Sequence, residues 1–393
     1  TQYLAIGRDD DDNLIFGPPT FVGQENLSFS ESASGTRSFY FEAALNYART
    51  FGRHSVGALF LYQQSQKNIT NSSETNSEKA LPYRHQGIAG RITYNYDNRY
   101  FIEGNFGYNG SENFSPRHRF GFFPAGAVGW VLSEEKFFAP LRDVLDLVKF
   151  KASYGIVGND QIGGDRRFIY NETVIGGGKY YFGTTPSQYT SVRLGEFPNP
   201  NVGWEKAKKL NLGADLSFFN QLNISVDYFK ENREGIFLQR KSIPMYVGLS
   251  TKPWVNIGKM RNSGIDASLE YHQPLGKDLH LTVRGNFTYA RNRIMDQDEP
   301  DYAYTYMNHS GQMQWQKFGL VAAGLFQDQE DIDSWAKQSF GEVKPGDIKY
   351  LDLNGDGIVD NYDTKPIGYS DIPEIVYGCL LYTSPSPRDT ERS

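Results

Sequence analysis

The sequence is nearly free of cysteine: one of its 393 residues, Cys379, is a cysteine, and it lies close to the end of the chain. The residues before it can therefore form neither a disulfide nor a thiolate metal site. Long apolar runs are also absent, since no stretch approaches the roughly 20 residues that a membrane-spanning helix needs. A helical membrane protein is excluded on that ground.

An excess of positive charge is missing too. The formal net charge is -6, and the 40 Lys and Arg residues are scattered along the chain. Nucleic-acid binding needs a clustered basic field that can neutralise phosphates. We therefore expect no nucleic-acid partner.

Catalytic signatures are lacking as well. The sequence contains no HExxH, no GxSxG and no complete phosphate loop. The histidines are isolated from one another, without the spacing of metal ligands; they are His54, His85, His118, His272, His280 and His309. We therefore expect that the protein is not an enzyme and binds no organic cofactor. A pair of glycosidase carboxylates among the 46 acidic residues remains an open alternative, because such a pair is defined by a distance in space.

What the sequence does have is period-two alternation. In 210–229 the residues Leu210, Leu212 and Ala214 alternate with polar ones, and after a turn at Asn220 and Gln221 the alternation resumes. Such a segment predicts a β-hairpin with one apolar and one polar face. Comparable segments give a polar row that includes Arg91, Glu103, Asp215, Asp227 and Arg284.

The lengths of the strands and of their connections decide between two all-β classes. The alternating runs predict strands of about nine to eleven residues, the span of a tilted strand through a bilayer. Short turns at DNR, GRH, NQ and HQPLGKD are interleaved with long polar segments at 65–83, 157–204, 231–263 and 291–375. Aromatic residues cluster where strands meet turns, as in interfacial girdles; examples are Tyr96, Tyr100, Phe218 and Phe219.

This pattern predicts a transmembrane antiparallel β-barrel with extracellular long loops, in which Arg91, Glu103, Asp215, Asp227 and Arg284 line a wet lumen. A soluble β-sandwich or propeller is the alternative, because its strands alternate as well. Such folds rarely show connections of such unequal length on the two sides.

The ends of the chain look incomplete. TQYLAIGRDDDDN lacks the basic region and apolar core of a signal peptide, so either the start is missing or the protein is cytoplasmic. At the other end, CLLYTSPSPRD resembles the in-frame translation of a transposase sequencing adapter. We therefore predict a partial barrel over 1–378, truncated at Gly378, and a non-native tail over 379–393.

The stretch DLNGDGIVDNYD has the spacing of a cation-binding loop. Oxygen ligands fall at positions 1, 3, 5, 9 and 12, with Gly at position 6 and a carbonyl at position 7. The predicted ligands are Asp352, Asn354, Asp356, the Ile358 carbonyl, Asp360 and Asp363, around Gly357. Turn chemistry alone is the alternative, because Asp, Asn and Gly favour turns. The predicted ion is Ca²⁺, with Mg²⁺ left open.

Several long stretches resemble the SusC/RagA class of TonB-dependent outer-membrane transporters of Bacteroidetes. They include NPNVGWEKAKKLNLGADLSFFN, NIGKMRNSGIDASLEY, GLFQDQEDID and PGDIKYLDLNGDGIVDNYDTKPIG, in family order over most of 38–378. The resemblance implies the middle of a barrel of about 22 strands. It also implies an N-terminal plug and a TonB-contacting segment, neither of which this sequence contains.

By the same resemblance, the protein would import oligosaccharides, or sometimes peptides, across the outer membrane. Its expected partners are a SusD-like surface lipoprotein, the TonB-ExbB-ExbD complex and the lipid of the outer membrane. The acidic loop would be an extracellular structural element, in a segment without a hydrophobic core of its own. A surface glycan-binding or adhesive β-protein that transports nothing is the alternative function, and loop aromatics such as Tyr302, Tyr304, Tyr306 and Trp315 suit sugar stacking in both.

Overall fold

The computed structural model describes residues 2–21, 29, 31, 33–71, 77–163, 166–183, 187–249, 251–275 and 279–384. The strands, in chain order, are β1 (Gln2–Arg8), β2 (Leu14–Phe21), β3 (Ser34–Phe51), β4 (His54–Asn71), β5 (Tyr83–Tyr96), β6 (Tyr100–Ser111), β7 (Phe120–Val131), β8 (Leu145–Asn159), β9 (Val174–Phe182), β10 (Ser187–Leu194), β11 (Glu205–Phe218), β12 (Leu222–Gln239), β13 (Trp254–Pro274), β14 (His280–Asp296), β15 (Gln316–Gly319), β16 (Ala322–Leu325), β17 (Lys337–Gln338), β18 (Ile348–Tyr350), β19 (Ile358–Val359), β20 (Lys365–Ser370) and β21 (Ile375–Ser384).

Helices are short in the described residues. The α-helices are α1 (Ser77–Ala80) and α2 (Gln329–Asp333). Separate 3-10 turns occur at Leu132–Glu134, Lys136–Leu141, Met245–Val247, Thr305–Met307 and Asn361–Asp363. Within the described ranges, none of the helices has the length and apolar character needed to cross a membrane.

One large antiparallel sheet carries the fold. Its order is β21-β14-β13-β12-β11-β8-β7-β6-β5-β4-β3. Strands next to each other in the sheet are also next to each other in the chain, apart from β9, β10 and β15–β20, which form separate two-stranded sheets. Each strand satisfies its backbone groups through its neighbours, and among the described strands β3 and β21 are paired on one side only. The predicted all-β antiparallel class is confirmed.

The connections on one side of this sheet are tight. β3 and β4 are joined at Gly52 and Arg53, β5 and β6 at 97–99, and β11 and β12 at 219–221. Asp97, Asn98, Phe219 and Asn220 have positive φ values between 51° and 55°, the backbone that tight hairpins with twisted strands require. The turn from β7 to β8 is longer because it holds two 3-10 turns.

The opposite side carries the long connections. Residues 160–204 include the β9-β10 hairpin, and 297–374 include three small two-stranded sheets, β15-β20, β16-β18 and β17-β19. The prediction of a long connection over 231–263 is wrong in its limits. β12 continues to Gln239 and β13 begins at Trp254, so the loop covers 240–253.

The strands are also longer than the nine to eleven residues predicted. Except for β21, the large-sheet strands run from 12 residues in β6 to 21 in β13. A strand can continue past the hydrocarbon because ladder hydrogen bonds with its neighbours keep its backbone paired in water as well. Alternation marks the part that faces lipid and does not mark where pairing ends.

The chain has two compact units, residues 1–38 with 67–82, and residues 39–66 with 83–393. The first contains the β1-β2 hairpin and α1. The second contains most of the large sheet and the long connections between β8 and β21. β21 runs through the predicted boundary after Gly378, and residues 385–393 lie outside the described part. The adapter origin of 379–393 stays a prediction.

Candidate functional site

The polar face of the sheet carries a row of ion pairs. Cross-strand registers put Arg91, Glu103, Asp215, Asp227 and Arg284 on one face, as alternation predicted. Arg91 Nη2 lies 2.6 Å from Glu103 Oε2. The guanidinium of Arg284 lies at the same distance, 2.6 Å, from a carboxylate oxygen of Glu270 on the neighbouring strand.

The centre of this face holds one lysine between two aspartates. Lys151 Nζ lies 2.9 Å from Asp215 Oδ1 and 3.2 Å from Asp227 Oδ2. Ser225 Oγ donates to Asp215 at 2.6 Å. These charged side chains are half-exposed, so this face can contact water and polar solutes. Contact with apolar lipid would cost free energy, because it would remove the charges from water.

The other face is apolar and exposed. Its exposed side chains come from successive strands and include Ile92, Ile102, Val128, Phe150, Leu212, Val226, Ile265 and Phe287. Ring pairs lie towards both ends of this face: Tyr96 stacks on Tyr100 with centroids 6.4 Å apart, and Tyr108 stacks on Phe120 at 5.0 Å. An apolar band between aromatic rows is the outer surface of a transmembrane barrel.

A polar cavity of about 300 Å³ opens on the wet face, close to the long loops. Its lining includes Tyr40, Gln63, Ser65, His85, Asn109, Asp160 and Trp204. Asp160 Oδ2 is shielded and accepts no hydrogen bond, and His85 Nδ1 lies 3.6 Å from it. The sequence did not predict this cavity, because its residues come from separated strands and a loop.

The connection from β8 to β11 is held down by an apolar cluster that the sequence also did not predict. Phe114, Ile162, Ile169 and Val202 are buried together, and Trp204, Phe237 and Trp254 pack against them. The Arg166 guanidinium lies 4.0 Å from the centroid of the Trp254 ring. Residues of this connection therefore form a fixed wall of the cavity, to which Asp160 and Trp204 belong.

The acidic loop folds around its own backbone. Asp352 accepts N–H hydrogen bonds from Gly355 and Gly357 at 2.7 and 2.8 Å, and both glycines have positive φ. The fully buried Asp363 accepts from the N–H groups of Leu353, Asn354 and Asp360. Each carboxylate thus satisfies donors that a tight turn leaves without partners.

The other predicted ligands make similar short-range contacts. Asp356 Oδ1 accepts from the N–H of Ile358 at 2.8 Å, and Asp360 Oδ1 accepts from that of Tyr362 at 2.7 Å. Over the described ranges, no three or more His, Cys, Asp or Glu side chains converge closely enough to hold a metal ion. The described arrangement is that of a turn network, and the ion assignment stays a prediction.

The loop does have apolar support, contrary to the expectation of a segment without a core. Val359 is fully buried, and Phe326 and Met313 of the same connection are nearly so. Tyr306 Oη donates to the Tyr362 carbonyl at 2.8 Å, and the rings of Tyr304 and Tyr306 stack at 5.3 Å. Two of the four predicted aromatics therefore brace the acidic loop.

The remaining two stand apart from that brace. The Tyr302 ring faces the imidazole of His309 at 6.2 Å, and burial raises the pKa of the Tyr302 hydroxyl. Trp315 is 64% exposed and has a φ of 60°, uncommon for a bulky residue. Its ring is therefore accessible to a solute, and we assign no ligand to it.

Comparison with known proteins finds one family. The profile of the family described as "TonB dependent receptor-like, beta-barrel" matches residues 2–365. The chain is 27% identical to TonB-dependent receptor P3 of Formosa agariphila, over 94% of the chain and 39% of the relative. It is 29% identical to TonB-dependent receptor SusC of Bacteroides thetaiotaomicron, over 71% of the chain and 28% of the relative.

Solved structures agree in fold. The RagAB peptide importer in its closed-closed state matches with a TM-score of 0.67 at 19% identity, over 90% of this chain and 40% of that one. A second RagAB structure, of the peptide transporter, matches with a TM-score of 0.65 at 20% identity. The chain spans about two fifths of these structures and at most about two fifths of the curated relatives.

Proposed function

The chain belongs to the TonB-dependent receptor β-barrel family, and on that premise we propose that it lines the import route of an outer-membrane transporter. The SusC/RagA resemblance and the outer-membrane location expected from the sequence are confirmed. The proposed cargo is an oligosaccharide or a peptide, delivered by a SusD-like lipoprotein and driven inward through TonB-ExbB-ExbD.

One observation carries this proposal: the wet face that runs the length of the sheet. A transport route needs hydrogen-bonding groups along its whole wall, because a polar solute leaving water must replace its hydrogen bonds. The ion pairs from Arg91 to Arg284 provide donors and acceptors over successive strands. A surface adhesin would need such groups only in its loops.

The cavity at Asp160 is the proposed first contact of the solute on this wall. A sugar hydroxyl or a peptide N–H can donate to the partly exposed carboxylate of Asp160, which lines the cavity, and the ring of Trp204 offers an apolar surface. No catalytic group is assigned, since import requires passage and not bond cleavage.

Uptake by cells that produce the full-length protein tests the proposal. A labelled oligosaccharide and a labelled peptide are offered in parallel, with and without TonB. We expect TonB-dependent accumulation of one cargo, lowered about tenfold by Asp160→Ala through loss of one charged hydrogen bond. Asp301→Ala, a change to an exposed loop aspartate, is the matched control. Surface binding without TonB-dependent accumulation would favour the adhesive alternative.

A structural cation in the acidic loop is a separate proposal. It rests on the spacing of Asp352, Asn354, Asp356, Asp360 and Asp363 and on the lone pairs that each carboxylate retains beside its N–H contacts. Calorimetry of the full-length protein with Ca²⁺ and then Mg²⁺ tests it. Binding that Asp356→Ala removes and Asp371→Ala preserves would support the site; heat changes equal in all three proteins would eliminate it.

A further inference from the structure

The outward face of β11 to β14 changes character near the long loops. Beyond the apolar rows, basic side chains predominate over three successive outward levels, where Asn232, Ser263 and Glu234 lie among them. The outer basic patch consists of Lys206, Lys208, Lys230, Lys259, Arg261 and Arg293. Arg291, next to it, pairs with Glu374 at 3.2 Å.

The strand registers put the patch on the same face as the exposed apolar rows, and its contacts agree. Lys208 Nζ lies 2.8 Å from Glu234, and Arg261 donates to Asn232 at 3.1 Å, all on one face. The neighbouring Lys209 pairs instead with Glu231 on the wet face. Charges on the wet face are therefore balanced by acids at this level, and the outward ones largely are not.

Several patch residues lack an anionic partner. Within the described residues, Lys206, Lys230, Lys259 and Arg293 form no ion pair. Glu234 stands opposite Lys206 and Lys259 but pairs with Lys208, and Asp296 stands opposite Lys259 next to a register shift. Arg261 and Arg293 are directly opposite each other across β13 and β14. Like charges in that position destabilise a sheet, and a bound anion would offset the repulsion.

The patch is continuous with the membrane-facing surface. Tyr228 precedes Lys230 by two residues on the same face of β12, and Tyr289 precedes Arg291 in the same way on β14. Three outward positions span about 13 Å along tilted strands, or about 9 Å along the membrane normal. That is comparable to the thickness of one headgroup layer, and the long-loop side of such barrels is extracellular.

We propose that the outer basic patch binds the phosphate groups of a glycolipid in the outer leaflet. The apolar rows contact the acyl chains, the tyrosines lie at the interface, and the unpaired cations meet the phosphates. A protein partner is disfavoured, because the patch lies directly above the apolar surface that lipid covers. The inference depends on the outer-membrane location and not on the cargo or on import.

Binding of lipid A with two phosphates to the full-length protein in neutral detergent is the test. Lys206→Gln, Lys230→Gln and Arg293→Gln together remove three cations without breaking an ion pair. We expect this variant to bind on the order of a hundredfold more weakly, and the unmodified protein to lose affinity with added salt. Lipid A stripped of its phosphates should bind the unmodified protein as weakly as the variant binds the intact lipid.

The control replaces three exposed cations elsewhere, Lys179→Gln, Arg193→Gln and Lys337→Gln. It should bind lipid A as tightly as the unmodified protein does. Equal affinity of both triple variants, or affinity that neither salt nor phosphate removal changes, would overturn the proposal. The salt series needs no variant, so the test holds even if the patch variant fails to fold. Uptake of cargo is measured separately and bears only on import.

Discussion

Asp363 shows how one side chain can organise a loop. Its carboxylate is fully buried and accepts three backbone N–H groups, so the turn of the acidic loop depends on it. Asp356, by contrast, is exposed and receives its contacts from within the turn. The two aspartates look equivalent in the sequence and differ in what surrounds them.

Replacing Asp363 by Ala should therefore loosen the loop. We expect a local loss of about 2 kcal/mol, because three partly buried donors lose a charged acceptor. Hydrogen exchange over residues 351–364 of the full-length protein is the measurement. Asp356→Ala is the control and should raise exchange much less; equal effects of the two changes would contradict the assigned role.

Asp298 links two long connections. It accepts hydrogen bonds from Lys241 N–H at 2.7 Å and from the Ser242 hydroxyl at 2.9 Å, and it pairs with Arg240. Burial raises the pKa of this carboxyl, but the hydrogen bonds from Ser242 and Lys241 outweigh burial and hold the pKa below its ordinary value of 3.8. The contact therefore favours the ionised form.

The pH dependence of this link follows from the direction of the shift. A lowered folded-state pKa gives stability that is complete at neutral pH and is lost as pH falls below about 4. We expect exchange at the amides of Lys241 and Ser242 to rise only in that acidic range. Asp298→Asn should raise exchange at pH 7 and remove the acid dependence; an unchanged pH profile would show that another group controls the loops.

At the scale of elements, glycines make room for aromatic side chains across strands. A Cβ on Gly158 would lie 2.0 Å from Phe123, and one on Gly121 would lie 2.3 Å from the same ring. Phe123 is buried and contacts Trp204 with centroids 5.1 Å apart, so its ring has little freedom to move. This packing joins β7 and β8 to the connection that forms the cavity wall.

Gly158→Ala should destabilise the barrel by about 1–3 kcal/mol through overpacking against Phe123. Urea unfolding of the full-length protein in detergent measures the change. Gly104→Ala is the matched control, because Gly104 also lies in a sheet strand and has open space around its Cβ position. Equal midpoints for both variants would argue against close packing at Gly158.

At the scale of the whole molecule, the described chain leaves two edges. β3 and β21 pair on one side each, and the apolar face is exposed over many strands. We expect this 393-residue chain, produced alone, to aggregate in water through its edges and apolar face. Gel filtration with and without detergent is the measurement; a monodisperse chain that melts cooperatively in water would contradict it.

The last strand bears on the proposed adapter tail. β21 sets Leu380 opposite Arg284 and Tyr382 opposite Thr282 on the wet face, while Cys379 and Leu381 lie on the other. Apolar residues on both faces depart from the alternation that β11 keeps. We expect a long DNA read across the locus to replace Cys379–Ser393 with an alternating strand. A read that retains those residues would contradict the adapter origin.

The sequence by itself determined the faces of the sheet. Side chains alternate with a period of two in any strand, so Arg91, Glu103 and Asp215 were assigned to the wet face without knowing their neighbours. Tight turns at 97–99 and 219–221 were equally local, because they depend on the left-handed backbone of a few residues. Long stretches of family-like sequence identified the barrel class.

Only the tertiary structure decided which residues meet. Lys151 lies between Asp215 and Asp227 because three strands share one register, and Asp160 reaches the cavity because a distant apolar cluster holds its loop. The predicted strand ends are wrong because backbone pairing continues where the apolar pattern stops. Alternation is a property of one strand, whereas register, cavities and unpaired charge arise between strands, so no single segment of sequence contains them.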